Sequence, residues 1–222
     1  MTDSETRASR VDVDGVVIDL PNASEAGAIG RMQLLSWHQT YPNAERGIDA
    51  QWIDEQMMPR TSPAADEFRR GRMTAQRLNP EGTLYRVARN GSDIVAFVHA
   101  SRPDSTPSIP TSAARRRDDD AGQEAATLDA LYVLCEHQGS GLADHLMTVV
   151  LDWLGDQAMR LEVASYNARA IRFYQRHGFR LTGHTAVFRD RIPIVSMLRA
   201  EGHRTFGGGS RGWKSASCRR VT

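Results

Sequence analysis

Gln138-Gly139-Ser140-Gly141-Leu142-Ala143 is the segment whose residue types and spacing point most directly to chemistry. It stands between an apolar run ending at Val133 and an amphipathic stretch over 141–155, whose inward face reads as Leu142, Leu146, Val149, Val150 and Trp153. A glycine-rich turn at a helix N-terminus aims several unpaired backbone N–H groups at one point. The helix dipole adds positive potential there, so an anion site forms without lysine or arginine. Gly139 and Gly141 carry no Cβ, and a phosphate can approach their backbone closely. Two common phosphate loops are excluded. A P-loop requires Gly-Lys-Ser/Thr, whereas Leu142 and Ala143 follow Gly141. A dinucleotide fingerprint requires Gly or Ala where Asp144 stands, and a strand far earlier in the chain.

A second patterned segment is Asn167-Ala-Arg-Ala170-Ile-Arg-Phe173-Tyr174-Gln-Arg-His-Gly178-Phe179. Asn167 suits a helix N-cap, and Gly178 suits the left-handed residue that ends one. Phe179 can then fold back onto Phe173 or Tyr174. Together the two segments resemble the GNAT superfamily of acetyltransferases. Gln138-x-x-Gly141-x-Ala143 after a strand ending in Val133 is similar to that family's pyrophosphate motif. Asn-x-x-Ala-x-x-Phe-Tyr…Gly-Phe is similar to its other signature. The resemblance extends over residues 16–199. Cys135 departs from it, standing where the family commonly has proline, and reads as a small apolar residue rather than a redox-sensing thiol.

The resemblance implies an acyl-CoA N-acyltransferase in which a neutral amine attacks the thioester of acetyl-CoA directly. Leu131, Tyr132 and Val133 then pair by backbone with the pantetheine arm. Gln138, Gly139, Ser140, Gly141, Leu142 and Ala143 hold the pyrophosphate, Asn167 contacts the pantetheine or its surroundings, and Tyr174 faces the sulfur as proton donor. Tyr174 also reads as a core tyrosine, and Asn167 as no more than an N-cap. Asp129 is the candidate base, with Glu162 and His184 behind it. The amine acceptor is expected between the first two helices and the last hairpin, near Trp37, His38, Tyr41, Trp52 and Phe188. A small-molecule amine, a polyamine, a peptide N-terminus and an antibiotic amine all remain open. So does a silent acyl-CoA sensor or scaffold.

Stepping outward along the chain, the positioning elements follow from periodicity. Val16, Ile18 and Leu20 alternate as a strand. Asn22 and Glu25 form a capping pair for a helix that runs to Tyr41 and carries Ile29, Met32 and Leu35 on one face. Further helices are predicted over 48–57, with Trp52, Ile53 and Met57 inward, and over 64–73. Residues 84–89 and 94–100 form a hairpin around Asn90-Gly91-Ser92-Asp93. Strands at 128–134 and 160–164 flank the helix at 141–155. A helix at 168–177 and a final pair, 179–188 and 192–198, complete a three-layer α/β/α domain with a mixed, mostly antiparallel sheet. Residues 1–14 read as a flexible N-terminus, 15–200 as the domain, 101–127 as a mobile loop containing Arg115–Arg117 before Asp118–Asp120, and 201–222 as a disordered basic tail.

Composition bounds the partners. The 222 residues carry 28 basic and 27 acidic side chains, a net charge of +1, which gives no global field for nucleic acid or an anionic membrane. The five cations after Glu201 alone are a thin basis for nucleic-acid binding. No apolar run approaches a membrane span, and residues 1–14 lack a signal core. Cys135 and Cys218 are the two cysteines, expected as unlinked thiols of a reduced, cytoplasmic protein. No metal is expected, and a homodimer is compatible with the pattern.

Overall fold

The structure is a computed structural model describing residues 11–13, 15–103 and 125–202. The tail after residue 202, the charged block at 115–120 and most of the expected N-terminal segment lie outside the described residues. Among the described residues, eight strands form one sheet in the order β1-β2-β3-β4-β5-β6-β8-β7. The strands are β1 (Val11–Val13), β2 (Val16–Asp19), β3 (Thr83–Asn90), β4 (Asp93–Ser101), β5 (Ala126–Val133), β6 (Met159–Ala164), β7 (Arg180–Phe188) and β8 (Ile192–Arg199). Every neighbouring pair is antiparallel except β5 with β6. The helices are α1 (Ala26–Thr40), α2 (Ala50–Met57), α3 (Pro63–Leu78), α4 (Leu142–Leu154) and α5 (Ala168–Arg176).

Sheet alternation sends side chains to two faces, and each face has its own cover. Leu146, Met147 and Val150 of α4 and Tyr174 of α5 close over Val98, Leu128 and Leu161. On the other face, Ile29 and Met32 of α1 and Met73 of α3 cover Tyr85, Val87 and Phe97. This is the three-layer mixed sheet that the sequence pattern predicts.

Local chemistry explains the helix ends. Asn22 and Glu25 form the expected capping box: the Asn22 N–H donates to Glu25 Oε2 at 2.6 Å and the Ser24 N–H to Asn22 Oδ1 at 3.2 Å. Glu25 also pairs with Arg89 of β3 at 2.6 Å, which ties the start of this helical segment to the sheet. Asn167 Oδ1 accepts from the Ala170 N–H at 3.0 Å and caps α5. At the far end of α5, Gly178 has φ +88°, its N–H donates to the Gln175 carbonyl, and the Phe179 N–H donates to the Tyr174 carbonyl. That pair of hydrogen bonds is the Schellman closure, and it sets the Phe179 ring 5.8 Å from the Tyr174 ring.

Four expectations need correction. A short strand, Val11–Val13, pairs with β2 inside the segment read as flexible; three residues carry too little periodicity to be seen alone. Residues 101, 126 and 127, assigned to the loop, are strand residues, and Ser101 pairs with Thr127. α3 runs to Leu78, five residues beyond the predicted end. Leu35 points outward at 45% exposure while Ser36 is buried, because the face of α1 follows Ile29, Met32 and Ser36.

Gly178 offers a direct test of the α5 closure. A Cβ at φ +88° strains the backbone by about 1–2 kcal/mol. Gly178→Ala is therefore expected to lower Tm by roughly 3–6 °C in a thermal melt. An unchanged Tm rules out the left-handed closure.

Candidate active site

The parallel pair β5–β6 is joined by two residue pairs, Ala126 with Met159 and Thr127 with Arg160. Beyond them the strands part. β5 stays paired with β4 as far as Val133 opposite Ala96, and β6 with β8 as far as Ala164 opposite Ile194. Leu128 to Val133 thus present one backbone edge to a cleft, where N–H and C=O groups must find another partner. Leu131, Tyr132 and Val133 all lie on this edge. The Val133 carbonyl already accepts from Gln138 Nε2 at 2.9 Å.

Past the cleft, a single 3₁₀ turn, Cys135–His137, leads to the glycine segment. Gly139 and Gly141 have φ of +90° and +85°. A Cβ at Gly139 would meet no atom within 4 Å, and one at Gly141 only the His145 ring at 3.8 Å. Within the protein, glycine is required here for its conformation rather than to avoid a neighbouring side chain. Gly141 is the N-cap of α4 and offers no side chain; the Leu142 N–H makes a long contact to Ser140 Oγ at 3.4 Å, and the next first-turn N–H, that of Ala143, has no side-chain cap. Ser140 Oγ donates to the His137 carbonyl at 2.8 Å. Arg169, from the first turn of α5, donates from Nη1 to Gln138 Oε1 and brings a guanidinium to the turn. Its arrival depends on α5 packing beside α4 and was not anticipated. Cys135 also differs from expectation: it is disulfide-bonded, with its partner outside the described residues.

The opposite end of the cleft is lined with phenols and indoles. Trp37 Nε1 donates to the Tyr132 hydroxyl at 3.2 Å. The Trp37 ring packs at a tilt against Tyr41, with centroids 4.6 Å apart, and against Phe188, 6.2 Å apart. Trp52, Tyr166 and Ile192 join the same cluster. Four of the five acceptor candidates, Trp37, Tyr41, Trp52 and Phe188, are thus brought together; the fifth, His38, places Nε2 2.8 Å from Asp54 Oδ1 and links α1 to α2 instead. Tyr174 is buried, and its pKa is pushed up by burial first and by the Tyr132 phenol second. Burial likewise holds the Tyr41 hydroxyl well above its usual range, with Tyr132, Tyr174 and Tyr166 adding to it. These hydroxyls stay protonated and serve as donors. Sequence reasoning assigned Tyr132 a backbone role and passed over Tyr166; Tyr166 adjoins Asn167, the one signal that could have marked it.

Asp129 sits differently from the expected base. The β4–β5 register skips it: His99 faces Ala130 while Ala100 faces Leu128. This bulge turns both Asp129 and Ala130 toward the face under α1 and α3. Asp129 Oδ2 accepts from His99 Nδ1 at 2.8 Å and from Ser101 Oγ at 2.8 Å. Burial alone would raise its pKa, but His99, Arg72 and Ser101 outweigh that and pull it below the usual range. A carboxylate so engaged is a fixed anion and a weak base. It orients His99, whose Nδ1 must carry the proton because an ionised carboxylate only accepts. Burial, then Arg72, lower the His99 pKa against the opposing pull of Asp129. Nε2 of this neutral ring is buried without a partner among the described residues. Of the other carboxyl and imidazole candidates, Glu162 faces Ser196 within the sheet and His184 is exposed on edge strand β7.

One feature lay outside every sequence signal. The turn between β7 and β8 places two non-glycine residues in the left-handed region, Arg189 at φ +50° and Asp190 at φ +61°. Each such residue costs about 1–2 kcal/mol. The turn carries the Arg189 guanidinium over the Phe188 and Trp37 rings, at 5.3 and 5.9 Å. Among the described residues no three His, Cys, Asp or Glu side chains assemble as a metal site, and no helix is long and apolar enough to cross a membrane.

Residues 37–179 match the family model described as the acetyltransferase (GNAT) family. N-acetyltransferase family 8 member 2 of Rattus norvegicus is 30% identical over 115 residues, which cover 50% of this chain and 45% of that relative. The match therefore spans less than half of the relative's length. The PaiA N-acetyltransferase from Thermoplasma acidophilum, solved with coenzyme A, aligns with TM-score 0.59 at 16% identity, covering 83% of this chain and 98% of that one. The ribosomal-protein-S5-alanine acetyltransferase from Vibrio fischeri aligns with TM-score 0.57 at 12% identity, covering 87% and 97%. At these identities the two structures bear on the fold.

His99 gives the buried network a measurable signature. The folded protein holds its pKa below the ordinary 6.5, so the unfolded chain takes up the proton first as pH falls. Stability from this group is full above about pH 6.5 and declines as pH drops through the folded pKa. Tm is expected to fall as pH drops below about 6.5, and His99→Gln should flatten that slope whatever its effect at neutral pH. An unchanged slope in His99→Gln excludes a buried neutral His99.

Proposed function

The chain belongs to the GNAT family of acetyltransferases, and from that premise we propose that it transfers an acetyl group from acetyl-CoA to a primary amine by direct attack. The observation that carries this reading is the parting of β5 from β6 beside the glycine turn of α4. The coenzyme A in the Thermoplasma relative supports the choice of donor. In this reading the unpaired edge of Leu131–Val133 binds the pantetheine amides. Residues Gln138 to Ala143 hold the pyrophosphate through backbone N–H groups and the α4 dipole, with Arg169 adding positive charge. Asn167 serves as the α5 cap, and through that cap it fixes where Tyr174 stands.

The amine nitrogen attacks the thioester carbonyl carbon, the C–S bond breaks, and the electron pair leaves on sulfur. The nitrogen gives up one proton to water in the open cleft, so the products are the amide, the coenzyme A thiolate and a solvated proton. An amine of pKa near 10.4 is only about one part in a thousand neutral at pH 7.4, so desolvation among the aromatic rings helps by disfavouring the ammonium form. The Tyr174 O–H donates a hydrogen bond to the thiolate as its charge develops. That interaction strengthens along the reaction coordinate, which is what accelerates the chemical step. Asp129 is assigned to orienting His99 rather than to taking the amine proton.

Two measurements test the reading. Acetyl-CoA should raise Tm, since a ligand specific for the folded state stabilises by about 2.7 kcal/mol at a hundredfold excess over Kd. Gly141→Asp should abolish that shift by placing a carboxylate at the phosphate. A full shift in this variant means the anion site lies elsewhere. Turnover is read by thiol release over a panel of amines. Tyr174→Phe keeps the ring and is expected to lower kcat and kcat/KM together by about 10²-fold, with Tm and acetyl-CoA affinity little changed. Because the Tyr174 pKa lies above its ordinary value of 10, ionisation of this hydroxyl should cause no loss of activity below that pH. Equal turnover by Tyr174→Phe, with chemistry limiting, removes the donor role.

A further inference from the structure

We propose that Arg189 selects the acceptor, and that the amine acetylated by this chain carries a carboxylate that seats on the Arg189 guanidinium. The proposal rests on the acetyl-transfer reading and names its substrate class.

The argument begins with a charge that has no answer. Arg189 is half-buried, and Nη1 donates to Gln56 Oε1 of α2 at 2.8 Å. Its Nε is fully buried and has no hydrogen-bond partner among the described residues. The groups that act on it electrostatically are a second cation, Arg60, and the neutral Tyr132 phenol. No carboxylate among the described residues pairs with it. Buried cations are ordinarily paired, because removal from water is costly and only an opposite charge or several hydrogen bonds offset it. Here the aromatic faces of Phe188 and Trp37 give part of that compensation. Burial and Arg60 both disfavour its charged form, and the attraction of a bound anion would oppose them.

Position then identifies the anion's source. Arg189 shares Trp37 with the phenol cluster: the same indole that lies under the guanidinium donates to Tyr132, on the open edge of β5. The guanidinium therefore borders the end of the cleft where an amine must enter. Arg191 stands beside it over Trp52 at 5.5 Å. Three cations, Arg60, Arg189 and Arg191, thus gather around α2 and the β7–β8 turn. A polyamine would bring further positive charge to them. An amine with a carboxylate a few bonds away places opposite charge on Arg189, and the planar fork of the guanidinium fits a carboxylate through two parallel hydrogen bonds. The left-handed backbone at Arg189 and Asp190 is the strain that aims this side chain inward.

The experiment compares each common amino acid with its own amide, and with spermidine, in turnover and in calorimetric binding to the CoA-loaded protein. The acid is expected to exceed its amide by about ten- to a hundredfold in kcat/KM, mainly through KM, in keeping with a charge-assisted pair. Arg189→Asn keeps a residue tolerant of the left-handed turn and should bring acid and amide to within about twofold. Arg189→Lys should retain part of the gap. An unchanged Tm shift with acetyl-CoA in both variants shows that they are folded. Preference for amides or spermidine, or an acid preference that survives in Arg189→Asn, overturns the proposal. So does failure of every acid to bind. An acid–amide binding gap without turnover upholds anion recognition and counts instead against acetyl transfer.

Discussion

Two residue pairs join β5 to β6, and the chemistry proposed for this protein depends on there being no more. A parallel pair is the weakest join in a mixed sheet, since its hydrogen bonds are slanted and its strands must be linked by a crossover. Here the crossover is α4, and its first turn faces the point at which the strands part. An unpaired strand edge and an unpaired helix start are each costly when buried and empty. Set side by side, they form a continuous line of backbone donors and acceptors that suits an extended ligand with amides at one end and phosphates at the other.

Packing on the two faces keeps this opening from closing. The face beneath α4 and α5 is filled by aliphatic side chains and by Tyr174 and Phe179, held in place by the Gly178 closure. The other face is partly polar. The bulge at Asp129 turns a carboxylate inward, where His99, Ser101 and Arg72 hold it as an anion. Such a network is directional in a way that aliphatic contacts are not, and it fixes the β4–β5 register next to the cleft. The family framework thus meets an individual feature at one residue.

The acceptor end is built by three distant parts of the chain. α1 brings Trp37 and Tyr41, α2 brings Trp52 and Gln56, and the β7–β8 turn brings Phe188 and Arg189. Hydrogen bonds from Trp37 to Tyr132 and from Arg189 to Gln56 join them across the opening. Strain at Arg189 and Asp190 is tolerated because the ring contacts and the Gln56 bond hold the turn.

The sequence by itself determined most of the elements and the glycine turn at the start of α4, because those depend on local signals. Alternation and helical spacing marked the strands and helices. Asn22 with Glu25, Asn167 and Gly178 marked their ends, and Gly139 and Gly141 marked the anion turn; each acts within five residues of its partner. Short β1 and the outward turn of Leu35 were missed, since three residues carry no period and one leucine can lie on either side of a helix. What the tertiary structure decided is everything that depends on distant residues meeting. His99 and Asp129 are 30 residues apart, Trp37 and Tyr132 are 95 apart, and Gln56 and Arg189 are 133 apart. No spacing rule links such pairs. Whether Asp129 is a base or a fixed anion, and whether Arg189 is an exposed cation or a half-buried one, depends on desolvation and partners that only the folded chain supplies.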